Sequence, residues 1–204
     1  MIIVVDYGMG NLRSVSKALE SLGASVRVSS DPKDVAAADK LILPGVGAFP
    51  AAMRELAARR LIDPVRAAIA SGRPYLGICL GLQLLFEDSE EGEGAKGLGV
   101  LPGRVRRFAL SGSSALKVPH MGWNQVLRDQ GECLLLQGIP DGSFFYFVHS
   151  YYADPADRAV SALTADYGAP FTAMVCRRNL YATQFHPEKS QAIGLQLLKN
   201  FIAL

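Results

Sequence analysis

The chain has 204 residues, half of them hydrophobic, with a formal net charge of +2 and 20% charged side chains. A chain of that length buries roughly 70% of its unfolded surface without a staple, and so mild a charge argues against a nucleic-acid-binding face. The three cysteines, Cys79, Cys133 and Cys176, are odd in number, far apart and without a C-x-x-C pair, which argues against a disulfide framework or a zinc site. The opening apolar run stops at Asp6 with no basic leader, and the longest mostly apolar run, 75–86, contains Gln83 and falls short of the ~20 residues of a membrane helix. The expectation is a soluble, cytoplasmic protein with no membrane and no nucleic-acid partner.

In chain order, "IIVVD" reads as a short strand buried on both faces. "GMGN" is a turn, and Asn11 stands as a possible cap for a helix with Leu12, Val15, Leu19 and Leu22 on one stripe, ended by Gly23. "SVRV" and "KLILPG" are further strands, and 48–72 is helical with Pro50 and Pro64 near starts or breaks. "PYLGIC" is a fourth strand and "LGLQLLFE" a helix. The acidic, Gly-rich run "EDSEEGEGAKGLG" reads as a solvated loop. Beyond it, "GRVRRFAL", "FFYFVHSYY", "RAVSALTAD", "FTAMVCRRN" and "LYATQFHP" read as antiparallel strands, and "QAIGLQLLKNFIAL" as a closing helix. The fold class expected is α/β: an open, mostly parallel twisted sheet with helices on both faces and antiparallel additions, in one domain spanning 1–204.

The stretch "YLGICLG" sets Cys79 between Gly77 and Gly81 at a strand-to-helix junction. A sharp turn of the form G-x-nucleophile-x-G presents its central side chain at the tip, and a helix N-terminus favours a thiolate. Taken alone, the pattern equally suits a small packed cysteine. A nucleophile wants a base and the base an orienting group. His186 in "QFHPEKS" is followed two residues later by Glu188, which an extended segment would aim to the same side; a surface-loop histidine before a helix is the other reading. "PGVG" at 44–47 can turn backbone N–H groups inward as an oxyanion hole, joined by the N–H of Leu80, or can be an ordinary strand-to-helix turn. "GMGNLR" is not a dinucleotide fingerprint, since Arg13 occupies the third glycine position.

Together, "PGVGAF", "GICLGLQLLFE", "VHSYY" and "QFHPEKS", in this order, resemble the class I, triad-type glutamine amidotransferases over nearly the whole chain. Within that family, "DYGMGN", "PGVGAF" and "VPHMGWN" are similar to the glutaminase subunits of imidazole glycerol phosphate synthases. Relatives serving vitamin B6 synthesis usually carry "GGES" at the oxyanion loop, where this chain has Gly45, Val46, Gly47 and Ala48. The resemblance implies Cys79 as nucleophile, His186 as general base and acid, and Glu188 as the residue orienting His186. It implies Gly45, Val46, Gly47 and Leu80 as the oxyanion region, with a backbone that reorients before it donates. Gln83, His149, Ser150 and Tyr151 match segments that hold glutamine. It further implies a (βα)8-barrel cyclase partner forming a heterodimer, met at Trp123 and Asn124, with no metal and no organic cofactor. In a parallel sheet the loops after the first strand and at Cys79 open on one edge, so Asn11 and Lys189 are expected at the mouth of the site; Lys189 as a solvated charge, Trp123 as a core aromatic and "FFYFVHSYY" as a plain core strand stay open. A glutaminase serving another synthase, such as pyridoxal phosphate synthase, and a non-enzymatic regulator on the same scaffold are the rivals.

Overall fold

The structure is a computed structural model that describes residues 1–92, 94–109, 116–129 and 131–204. The chain runs through β1 (Ile2–Val5), α1 (Leu12–Ser21), β2 (Val26–Ser29), α2 (Pro32–Ala37), β3 (Lys40–Gly45), α3 (Phe49–Ala58), α4 (Ile62–Ala70), β4 (Tyr75–Cys79) and α5 (Leu80–Gln83). It continues through β5 (Asp88–Ser89), β6 (Ala95–Lys96), β7 (Gly103–Arg107), β8 (His120–Gln125), β9 (Leu127–Arg128), β10 (Phe144–His149) and β11 (Tyr151–Pro155). It ends with β12 (Ser161–Asp166), β13 (Pro170–Arg177), β14 (Leu180–Thr183) and α6 (Gln191–Ala203).

Five strands in the order β2-β1-β3-β4-β14 lie parallel, and β13, β11 and β7 extend the sheet antiparallel. The central parallel strands β1, β3 and β4 are apolar at nearly every position because both faces are covered, whereas the edge strand β2 carries the exposed Arg27. In β1, Ile3 and Val5 pack with Val35, Leu56 and Val65 of α2, α3 and α4, while Ile2 and Val4 pack with Leu19 of α1 and Leu197 and Phe201 of α6. The register sets Gly45 opposite Cys79 at the carboxyl edge of the sheet. Among the described residues, no helix is long and apolar enough to cross a membrane.

The structure departs from the sequence reading at several elements. The helix expected from 80 to 87 stops at Gln83, because the carbonyls of Leu84, Leu85 and Phe86 accept the N–H groups of Leu98, Val100 and Gly99 instead of continuing the helix. The acidic run is not a purely solvated loop: it carries β5 and β6, and the Glu87, Glu90 and Glu91 carboxylates accept from the backbone N–H groups of Gly103, Arg107 and Phe49. Glu93 and Leu110, the latter closing the expected strand 103–110, lie outside the described residues. "FFYFVHSYY" breaks at Ser150: β10 pairs with β8 in a separate two-stranded ribbon, and β11 joins the main sheet. "LYATQFHP" is strand only to Thr183, and β14 runs parallel to β4 while antiparallel to β13. The helix 48–72 divides at Arg60 (φ 57) into α3 and α4, and α2, not expected from the sequence, is preceded by Asp31, whose carboxylate accepts the Lys33 N–H.

Candidate active site

Cys79 ends β4 with φ 55 and ψ −105, a conformation in which an L-residue costs of the order of 1–3 kcal/mol. The flanking glycines explain how the chain holds it. A Cβ on Gly81 would lie 1.9 Å from the Leu43 carbonyl oxygen, and one on Gly77 would lie 2.6 Å from that of Gly81. The start of α5 therefore folds directly onto β3 and β4, and only glycine leaves room. On the neighbouring strand a Cβ on Gly45 would meet the Tyr7 hydroxyl at 2.3 Å, so the loop that follows begins flush against the elbow.

His186 leaves the sheet after β14 and Glu188 follows on a 3-10 turn, Pro187–Lys189, rather than on the extended segment expected. The pairing expected of them is present: His186 Nδ1 lies 2.9 Å from Glu188 Oε1, and both side chains are buried. Glu188 Oε2 has no hydrogen-bond partner. Burial alone lowers the His186 pKa, but the hydrogen bonds and negative charges of Cys79 and Glu188 outweigh it and raise the pKa to about 9. At neutral pH the ring is an imidazolium beside the cysteine. The Cys79 sulfur also lies 3.7 Å from Gln184 Nε2, which donates to it from a fully buried side chain.

A cavity of about 210 Å³ opens over the elbow. Val46 and Gly47 of the turn after β3, with Leu80 and Gln83 of α5, line one side of Cys79, and His149, Ser150 and Tyr151 line the other. Every expected oxyanion or substrate residue is thus at this cavity except Gly45, which sits behind it as the register partner of Cys79. The larger cleft, about 810 Å³, lies where Leu180 begins β14, at the end of the sheet opposite Cys79, and its lining holds no nucleophile or base.

The model of the family "Glutamine amidotransferase class-I" matches residues 3–204. The chain belongs to the class I glutamine amidotransferases. The imidazole glycerol phosphate synthase subunit HisH of Syntrophotalea carbinolica is 56% identical over 204 residues, covering 98% of both chains. The subunit of the same name from Nostoc punctiforme is 52% identical and covers 100% of this chain and 95% of its own. A crystal structure of a glutamine amidotransferase superposes with a TM-score of 0.76 at 19% identity over all of both chains. The glutaminase domain of Trypanosoma brucei CTPS with bound acivicin does so at 0.67 and 17%, over 99% of this chain and 90% of its own. At those identities the two structures speak for the fold.

The amidotransferase also carries an exposed apolar ridge beside the cavity. On the β8–β10 ribbon, Met121 (62% exposed) and Trp123 (47%) alternate outward, opposite Val148 and Tyr146. The Lys189 ammonium lies 5.8 Å from the Tyr146 ring, on the same face. Asn124 points to the inner face, where its amide donates to the Asp166 carbonyl at 2.8 Å. Asn11 stands at the N-cap of α1 without a side-chain capping bond. Sequence reasoning passed over Gln184, Glu91, Pro119 and Tyr7. Glu91 and Pro119 line the cavity, and Tyr7 places a buried hydroxyl with no hydrogen-bond partner against Gly45. Only Gln184 left a local signal, two residues before His186.

Proposed function

We propose that this chain is a glutaminase of one domain, the ammonia-supplying subunit of an imidazole glycerol phosphate synthase, in which Cys79, His186 and Glu188 hydrolyse glutamine. One observation carries the chemistry: a strained, nearly buried cysteine beside an imidazolium whose far nitrogen is fixed by a buried carboxylate. The Cys79 thiolate attacks the carboxamide carbon of glutamine. The oxyanion forms next to the Leu80 N–H and the 45–47 backbone, where a well-aimed donor is worth about 3–4 kcal/mol. His186 gives its proton to the departing nitrogen, ammonia leaves and a thioester remains. Water then attacks the thioester as neutral His186 takes its proton, and collapse releases glutamate and restores the ion pair. Glu188 keeps the ring oriented throughout. Gln83, His149, Ser150 and Tyr151 bound the substrate, and the Glu91 carboxylate is the acidic group at the cavity suited to an α-ammonium.

The HisH relatives are, by name, subunits of a synthase, and the exposed ridge at Met121 and Trp123 supports docking of a second chain. That chain is a cyclase with a (βα)8 barrel, which consumes the ammonia. Replacing Cys79 with Ala should remove glutamine-dependent synthesis by the reconstituted complex and leave ammonia-dependent synthesis in place. A diazo-ketone analogue of glutamine should label Cys79 and spare Cys133 and Cys176. Normal glutamine hydrolysis by the Cys79→Ala protein would overturn the assignment.

A further inference from the structure

Two of the three histidines take no part in the proton transfers above, and they meet on the inner face of the β8–β10 ribbon, where His120 is the register partner of His149. Their protons can be assigned from the contacts. His149 Nδ1 lies 2.8 Å from the Tyr151 carbonyl oxygen, which only accepts, so Nδ1 carries a hydrogen. Burial lowers the pKa of His149 to about 3 and of His120 to about 4, so both rings are neutral. The second nitrogen of His149 is then an acceptor, and His120 Nδ1, 2.9 Å away, must donate to it. By the same logic His120 Nε2 is an acceptor, facing Asn124 Nδ2 at 3.3 Å. The Asn124 amide is oriented independently, since its oxygen accepts the Gln125 N–H at 2.8 Å and its nitrogen donates to the Asp166 carbonyl. Each link has one donor and one acceptor; reversing the His149–His120 link would leave a bare His149 Nδ1 against the Tyr151 carbonyl oxygen and turn a His120 Nε2–H toward the Asn124 amide hydrogens. The His120 ring is held between Tyr167 and Phe147, stacked at centroid distances of 4.0 Å and 4.9 Å.

The chain of bonds continues to the nucleophile. The Tyr151 carbonyl that receives the His149 proton also accepts from Gln83 Nε2 at 2.9 Å. That same amide donates to Gln184 Oε1 at 3.2 Å, and Gln184 Nε2 donates to the Cys79 sulfur. We propose that His120 is a positioning residue of the glutaminase, fixing His149 as the Nδ1–H tautomer and through it the carbonyl on which Gln83, Gln184 and the Cys79 sulfur depend. The proposal rests on Cys79 being the nucleophile. Its second consequence concerns charge. The titratable groups that act on the His149 ring are His120 and His186, and with His120 and His149 held neutral, the imidazolium beside the sulfur is His186.

The test has two arms on the full chain. Long-range proton–nitrogen NMR of the labelled protein should show both His120 and His149 as Nδ1–H tautomers, uncharged from about pH 8 to about pH 5.5. In the complex with the cyclase, His120→Phe should keep the ring stack but lose the donor, lowering glutamine-dependent kcat roughly tenfold or more while the ammonia-dependent rate stays unchanged. His120→Asn, which returns an N–H near the Nδ1 position, should recover most of that loss. An Nε2–H tautomer or a charged ring at pH 6 in the unmodified protein, full activity of His120→Phe, or equal damage from Phe and Asn would each overturn the proposal. If His120→Phe does not fold, the tautomers and His120→Asn still decide. A complex of the unmodified chain that fails to hydrolyse glutamine would overturn the glutaminase reading instead, and the tautomer measurement stands apart from that outcome.

Discussion

Replacing Cys79 with Ala should change how stability depends on pH, as well as abolishing turnover. A histidine in the unfolded chain titrates near 6.5, whereas His186 in the folded protein titrates near 9. The folded state therefore holds a proton that the unfolded state releases between those values. The gap is worth about 3 kcal/mol, fully present below pH 6.5 and lost as the pH rises through 9. Of the influences on the ring, burial is the largest and opposes the charge, while Cys79 and Glu188 each contribute a hydrogen bond and a negative charge that favour it. Ala at position 79 removes one of those two partners and leaves the burial. The His186 pKa then falls, and the decline in stability on the alkaline side shrinks to less than half. Urea unfolding of both proteins at steps between about pH 6 and pH 10 measures this, and the difference between the two curves cancels groups distant from the site but retains the ionisation of the Cys79 thiol itself. An NMR titration of the His186 ring assigns the effect. A His186 pKa unchanged by the substitution would refute the coupling between His186 and Cys79.

Two further outcomes follow from the same geometry. Gly81→Ala, whose Cβ would sit 1.9 Å from the Leu43 carbonyl oxygen, should cost about 2–3 kcal/mol in urea unfolding and remove glutamine hydrolysis; an unchanged midpoint would show that the elbow does not pack directly on β3. Trp123→Ala and Lys189→Ala should leave the subunit folded but weaken cyclase binding by about 2 kcal/mol or more in calorimetric titration, and unaltered affinity and unaltered glutamine-dependent rates for both would place the docking face elsewhere.

β1, β3 and β4 were legible because they are short, largely apolar and each followed by a helical stripe, whereas β14 reads as one of the antiparallel additions and instead runs parallel to β4. Cys79 was legible for a related reason: the two glycines that its turn requires are local in sequence. The departures lie where a distant segment competes for the backbone. Nothing within "LGLQLLFE" tells it to stop at Gln83, because the N–H groups that capture its carbonyls belong to 98–100. The acidic run reads as solvated by composition, yet three of its carboxylates accept backbone N–H groups from α3 and β7.

The site divides in the same way. The juxtaposition of Cys79, His186 and Glu188 could be read because the proposed chemistry constrains their types and because the two residues of the pair stand two apart, although the 3-10 turn that joins them was not foreseen. His120 could not be read, since its role exists only after pairing. His120 faces His149 only because β10 turns back on β8 at one particular register, and a slip of β8 by one residue would bring Met121 inward opposite His149 and turn the His120 ring out to solvent. Alternation along the ribbon therefore does two things at once. It sets Met121 and Trp123 outward, available to a partner, and sets His120 and Asn124 inward, bonded toward the nucleophile. The inner face is thereby bonded, through His149, the Tyr151 carbonyl, Gln83 and Gln184, to the Cys79 sulfur.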